Sequence, residues 1–239
     1  MQIILADAKI MFDKADIKAE TKPLFQSEAD NIAAEMAVKD IAELENMLGC
    51  SHRIAAENWK RYQNFHEAKK LPAIMAYNGQ AYKHLKARTL NSDDIRYAMQ
   101  HLWITSFLYG MLRPLDGIVP YRATQQMGQW KELLTDTLID SVKKDDGVLL
   151  HLSTEEYEHL FDWRRVKNEV KVVQPMFYVR KDGLLKIQAV WAKTCRGAMT
   201  RYIMEKRIDD IEALQAFSYE GFEYKATLGE EDFPHFVRE

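Results

Sequence analysis

Cysteine is nearly absent from this 239-residue chain, which carries only Cys50 and Cys195. Two thiols cannot build a disulfide framework or a Cys-rich zinc module. Their sparing use fits a reducing compartment, so a cytoplasmic location is expected. Proline and glycine are also scarce, at 6 and 10 residues, and no Pro/Gly/Ser-rich linker, low-complexity tract or internal repeat divides the sequence. No apolar run approaches the roughly 18 residues that would span a bilayer, so no membrane partner is expected. Met1 to Asp7 has no basic segment ahead of a long apolar one and reads as a first strand rather than a secretion signal. Positive charge is not in excess either. With 33 Lys+Arg against 36 Asp+Glu the net is -3, which excludes a globally basic nucleic-acid coat.

What is present is material for a core. Apolar residues make up 47% of the chain and charged residues 29%, a balance that folds rather than staying disordered. One α+β domain over residues 1–239 is expected, a mixed β-sheet surrounded by helices. The charge is unevenly spread. Residues 1–50 hold 5 basic and 10 acidic side chains and residues 201–239 hold the same numbers, whereas 51–88 hold 8 basic and 2 acidic. An anionic partner can be met in that interior stretch despite the negative total.

The apolar period places a helix from Ser27, with Asp30 three residues on, through Ile32, Met36, Ile41 and Leu44 to a stop at Gly49. Ser51 can cap a second helix that buries Ile54, Trp59, Tyr62 and Phe65. The two form a tight helical hairpin within about 27–70. Pro72 to Tyr77 reads as a strand turning at Asn78-Gly79 into a helix with Tyr82 and Leu85. Ser92 caps a helix through Ile95, Met99, Leu102 and Trp103. Arg113 to Arg122 reads as a proline-stiffened loop, 129–143 as a helix and Val148 to Leu152 as a buried strand. Lys171–Val179 and Leu184–Val190 read as a β-hairpin about Asp182-Gly183. A helix over about 193–206 and two short C-terminal strands, around Phe222-Tyr224 and Phe236-Val237, complete the chain.

Candidate chemistry gathers in three places. Lys193, Arg196, Gly197, Thr200 and Arg201 share one helix face. A helix start following a strand, with cations and a side-chain-free glycine, can receive a phosphate or carboxylate, although any amphipathic surface helix shows two such faces. Arg113 and Arg122, in a stiff loop with Tyr109, Tyr121 and Asp116, suit bidentate anion binding, and Arg113 equally suits a structural clamp on Asp116. Ser153 follows a strand as a catalytic hydroxyl or an ordinary helix cap would, without the Gly-x-Ser-x-Gly elbow. The hairpin turn at Gly49, followed by Ser51, His52, Arg53, Lys60 and Arg61, can present backbone N–H groups and cations to DNA phosphates, or be an ordinary pair of packed helices. The seven histidines show no His-Glu-x-x-His spacing and no nucleotide-binding glycine loop occurs, so neither metal nor cofactor is expected.

Taken together, these residues resemble the YaaA peroxide-stress family of bacterial cytosolic proteins. The resemblance runs over nearly the whole chain: Ala8-Lys9; Tyr77-Asn78-Gly79 with Tyr82; the long block from Leu108-Tyr109-Gly110 through Arg113-Pro114-Leu115-Asp116 to Pro120-Tyr121-Arg122; Met127-Gly128; Ser153 with Glu156-Tyr157; Ala192-Lys193 with Arg196-Gly197 and Arg201; and Phe217 with Gly221-Phe222. It implies a single α+β domain with a helix-hairpin-helix element and a positively charged cleft, double-stranded DNA as partner, and a role in surviving hydrogen peroxide by limiting free iron. Carried onto this chain, the cleft would comprise Lys9, Arg113, Arg122, Lys193, Arg196 and Arg201, with Tyr77 and Tyr157 as walls. The hairpin would span Leu44 to Phe65. The chain departs from the family pattern at Ala6-Asp7, where Ser-Pro is usual, at Thr194, where a second Lys is common, at His151, and in Ala123-Thr124-Gln125-Gln126.

Two functions follow as expectations. One is a stress-response protein that binds duplex DNA through hairpin and cleft. The other is an enzyme acting on a small anionic substrate, with Lys9, Lys193 or Ser153 as the reactive group and the arginines as clamps.

Overall fold

The computed structural model covers residues 1–239 and describes all of them except Gln126, Met127 and Gln129. The Met127 position of the family block therefore lies outside the described residues. In chain order the elements are β1 (Gln2–Ala6), α1 (Gln26–Ala37), α2 (Ile41–Leu48), α3 (His52–Gln63), β2 (Leu71–Pro72), α4 (Ala73–Ala76), α5 (Gln80–Leu85), α6 (Ser92–His101), β3 (Leu102–Ser106), β4 (Gly110–Leu112), β5 (Gly117–Ile118), α7 (Lys131–Lys144), β6 (Val148–His151), α8 (Trp163–Glu169), β7 (Lys171–Val173), β8 (Met176–Lys181), β9 (Leu184–Lys186), α9 (Ala189–Lys206), β10 (Ser218–Tyr219), β11 (Phe222–Glu230) and β12 (Phe233–Arg238). Short 3-10 turns at Ala87–Thr89, Glu155–Leu160 and Glu212–Ala216 join them.

Two five-stranded sheets carry the mixed architecture. The first has the order β4-β3-β1-β6-β7, parallel except for β4 at its edge. Ile3, Ile4 and Leu5 of β1 are all buried, as a central parallel strand covered on both faces requires. The second has the order β10-β11-β12-β8-β9, with β12 and β8 parallel and the rest antiparallel. α9 packs against β1 of one sheet, β8 of the other and α5. Because β3 and β6 lie on opposite sides of β1, the chain reverses direction across the sheet there. A crevice opens at the carboxyl ends of such strands.

Several sequence expectations needed correction. The first helix does not run unbroken to Gly49. Asp40 accepts from the Glu43 N–H while Glu43 accepts from the Asp40 N–H, each at 2.8 Å, and this capping box starts α2 as a separate helix. α1 itself has Phe25 at its cap without a side-chain bond. Asn91 caps α6 in place of Ser92, accepting from the N–H groups of Asp93 and Asp94. That helix stops before Leu102 and Trp103, which pair with Ile3 and Ile4 of β1; sheet pairing outweighs the helical period there. Ala73 to Ala76 form a helical turn, not a strand, with the Ala73 and Ile74 N–H groups bonded to the carbonyls of Asp116 and Pro114. Lys171 to Val179 divides at Pro175, between β7 in the first sheet and β8 in the second, as a residue with no N–H to donate allows. The expected hairpin remains as β8–β9, with Asp182 and Gly183 both at positive φ, but its second strand stops at Lys186, and Ala189 and Val190 already belong to α9, which starts earlier than the expected 193.

Candidate functional site

At the carboxyl ends of β1 and β6 lies a cavity of about 270 Å³ bounded by the start of α5, the second turn of α9 and the 3-10 turn after β6. Asp7, Lys9, Glu156, Tyr157, Lys193 and Arg196 line it. Lys9, Glu156 and Lys193 are exposed at its rim, while Asp7 and Arg196 are half-buried.

Asp7 is held by phenols. Tyr121 donates to its Oδ2 at 2.5 Å and Tyr157 donates to its Oδ1. Behind Tyr121, its hydroxyl lies 2.6 Å from Ser106 Oγ and 2.8 Å from the Tyr77 hydroxyl. Tyr82 donates to the Ala6 carbonyl at 3.0 Å. Loss of water pushes the Asp7 carboxyl up to about 6; the bonds from Tyr121 and Tyr157 work against that rise and the charge of Glu156 adds to it. Burial, with the Asp7 charge adding, pushes the phenols of Tyr77, Tyr82, Tyr121 and Tyr157 upward. They therefore keep their protons and act as donors.

Arg196 faces the same space from α9. Burial pushes its guanidinium down, and its Nε is buried without a partner. Among the described residues neither Asp7 nor Arg196 makes an ion pair. Two opposite charges thus line one cavity without meeting. The α9 glycine has another use. A Cβ at Gly197 would stand 1.9 Å from the Ala81 carbonyl oxygen, so Gly197 permits the close crossing of α5 and α9. Thr194 serves that contact too, accepting from Gln80 Nε2 at 2.8 Å. Gly79 lets α5 approach β1's end, since a Cβ there would lie 2.6 Å from Ala8 Cβ. α9 begins at Ala189, which places Lys193 and Arg196 beyond its free N–H groups, not at them.

Other residues read from the sequence as cleft members sit elsewhere. Arg113 lies 3.4 Å over the Trp103 ring and donates to the Leu102 carbonyl at 3.1 Å, at the amino end of β3 and so at the opposite end of the sheet from Asp7. Burial lowers its guanidinium to about 10. Asp116 accepts from the Arg113 backbone N–H at 2.7 Å, so the clamp between them uses the main chain. Arg201 donates to the carbonyls of Leu85 and Lys86 and to Thr89 Oγ1, closing the carboxyl end of α5. Ser153 is fully buried, 3.2 Å from Thr105 Oγ1, and does not line the cavity. Tyr77 stands behind Tyr121 and Tyr157 forms the wall. Arg122 is half-buried beside the hairpin, and its carbonyl accepts from Tyr62 of α3 at 2.6 Å.

The helical hairpin consists of α2 and α3. Gly49 joins them at φ 53, and Ser51 makes no side-chain cap bond. Gly49, Ser51, His52, Arg53 and Lys60 are exposed. His52 pairs with Glu45 at 3.1 Å and Arg61 with Glu57 at 2.5 Å. Arg122 links hairpin to cavity: its carbonyl holds Tyr62, and the preceding residue, Tyr121, holds Asp7.

The sequence pattern did not single out Asp7, Glu156 or Tyr121 as a cluster. Asp7 stood out as a departure from the family pattern, and Tyr121 lay inside the specific Pro-Tyr-Arg block. Among the described residues no group of three or more His, Cys, Asp or Glu is placed to hold a metal ion, and no helix is long and apolar enough to cross a membrane.

The family model described as peroxide stress protein YaaA matches residues 1–228. A UPF0246 protein of Bacteroides fragilis is 42% identical over 246 residues, with 97% of this chain and 96% of the relative covered. One from Parabacteroides distasonis is 39% identical over 254 residues, covering 100% of both chains, and one from Ruegeria pomeroyi is 34% identical over 257 residues, covering 100% of this chain and 98% of the relative. The family match takes in the first sheet, the hairpin and the cavity and stops within β11 of the second sheet, and the chain belongs to the peroxide stress protein YaaA family.

Proposed function

We propose that this chain serves in the response to hydrogen peroxide by holding double-stranded DNA at its phosphates through the helical hairpin, with little sequence preference. The observation that carries the reading is the turn at Gly49. It leaves the first N–H groups of α3 uncapped by Ser51 and sets them beside the exposed Arg53, with Lys60 exposed in the last turn of the same helix. Backbone donors and cations of this kind recognise phosphate without reading bases. Occupying phosphates, where cations condense, gives a route to limit iron-driven damage that needs no metal ligand of its own. About three phosphate contacts would make affinity fall tens-fold between about 50 and 200 mM salt. Fluorescence anisotropy of the full chain with a labelled duplex tests this. Salt-dependent binding lost in Arg53→Ala/Lys60→Ala supports the reading; absence of binding at low salt, or binding indifferent to the double substitution, rejects it.

A second reading concerns the cavity, which at about 270 Å³ is sized for a metabolite and not a duplex. The buried, unpartnered Arg196 Nε favours a small anionic ligand there. Lys9 and Lys193 at the rim are exposed, so the desolvation that makes a lysine nucleophilic is lacking; binding is the better supported part of the enzyme alternative. Titration with acetate or inorganic phosphate, followed by amide NMR shifts, tests it, and shifts retained in Arg196→Gln would reject it.

A further inference from the structure

We propose that the cavity between β1, α5 and α9 binds a small zwitterion of the α-amino acid type, its carboxylate taken by Arg196 and Lys193 and its ammonium by Asp7. The inference rests on the small-anion reading and adds the second charge.

The argument is one of unmet partners. Arg196 offers five N–H donors, its side chain makes no hydrogen bond or ion pair among the described residues, and its Nε is buried. Asp7 accepts one phenol on each oxygen, which leaves about half of a carboxylate's four or so acceptor positions open. A half-buried charge is costly until something of opposite sign reaches it. Both groups line the same space, and neither neutralises the other. A simple anion would satisfy Arg196 and be repelled by Asp7 and Glu156. A simple cation would meet the reverse. A ligand carrying both charges satisfies both, and the rim repeats the pattern with Lys9 and Lys193 against Glu156.

The groups acting on Asp7 are Tyr121, Tyr157, Glu156 and Ser106, with Tyr77 and Tyr82 beside them, and the cavity they border is also lined by Lys193 and Arg196 from α9 and by Lys9 on the segment that follows Asp7. The phenols hold their protons. A ligand ammonium favours ionised Asp7, so affinity rises with pH through about 6, the value to which the Asp7 carboxyl is pushed.

The test is calorimetric titration of the full chain with single L-α-amino acids, each beside its desamino carboxylate and its decarboxylated amine. At least one amino acid is expected to saturate the protein, with both counterparts ten-fold weaker or more. Asp7→Asn is expected to lower that affinity at least ten-fold and abolish its rise with pH. Lys193→Gln, at the exposed rim and clear of the tyrosine cluster, is expected to weaken amino acid and desamino carboxylate alike. If the desamino carboxylate binds as tightly as the amino acid, or Asp7→Asn binds normally, the zwitterion is wrong while the small-anion reading stands. If none of the three ligand classes nor phosphate binds, both fall.

Discussion

Tyr121 donates its phenol to Asp7 across 2.5 Å, joining a loop to the end of a strand 114 positions earlier in the sequence. The same carboxylate takes Tyr157 from the other side. Asp7 thereby becomes the fixed point about which the cavity wall is arranged.

Stability should depend on pH through this carboxyl. Asp7 is raised from 3.8 to about 6 in the folded chain, so between those values the native state binds more proton than the unfolded one. Stability contributed by the protonated form is then lost as pH rises from about 4 to about 6, and is level above. Urea unfolding of wild type and Asp7→Asn across that range checks the sign. The wild type should lose about 3 kcal/mol relative to the variant as pH rises, and a difference independent of pH would refute it.

Gly197→Ala should be severely destabilising. The new Cβ would meet the Ala81 carbonyl at 1.9 Å, which forces α5 from α9, and overpacking of this kind costs about 1–3 kcal/mol or more. Thermal melting measures it, with Gly183→Ala, whose Cβ would meet no atom within 4 Å, reporting only the strain of positive φ.

Arg113→Ala should cost stability and leave ligand and DNA binding intact. Removing the guanidinium forfeits the stack on Trp103 and a donor to the Leu102 carbonyl, together about 2–3 kcal/mol. Reduced binding in a variant that still folds would contradict its placement at the far end of the sheet.

Asp40→Ala should loosen the hairpin. It deletes one half of the capping box with Glu43, worth about 1 kcal/mol, and hydrogen exchange of α2 amides should accelerate while β1 amides stay protected. Equal protection in both would show that the cap does not hold α2.

Much of this molecule is legible in its residues. The alternation of apolar and polar positions marks the hairpin, the buried β1 and β6, and the turn at Asp182-Gly183, because these elements answer to local periodicity and turn chemistry. The segments from Leu102 and from Pro72 read wrongly because their partners are distant: Leu102 and Trp103 extend to pair with β1, and Ala73 turns to reach Asp116. The candidate site divides along the same line. Lys193 and Arg196 lie three positions apart on one helix and are found by helical spacing, whereas Arg113 and Arg201 carry the same charge and are spent on a tryptophan face and on helix-end carbonyls. Charge and spacing alone therefore determine an α+β chain with a helical hairpin and a set of candidate cations. Which cations line the cavity, and that Asp7 shares it with Arg196 beside four tyrosines drawn from α5 and three other segments, is decided only when β1, β3 and β6 align their carboxyl ends, since hydrogen bonds between residues more than a hundred positions apart leave no period in the sequence.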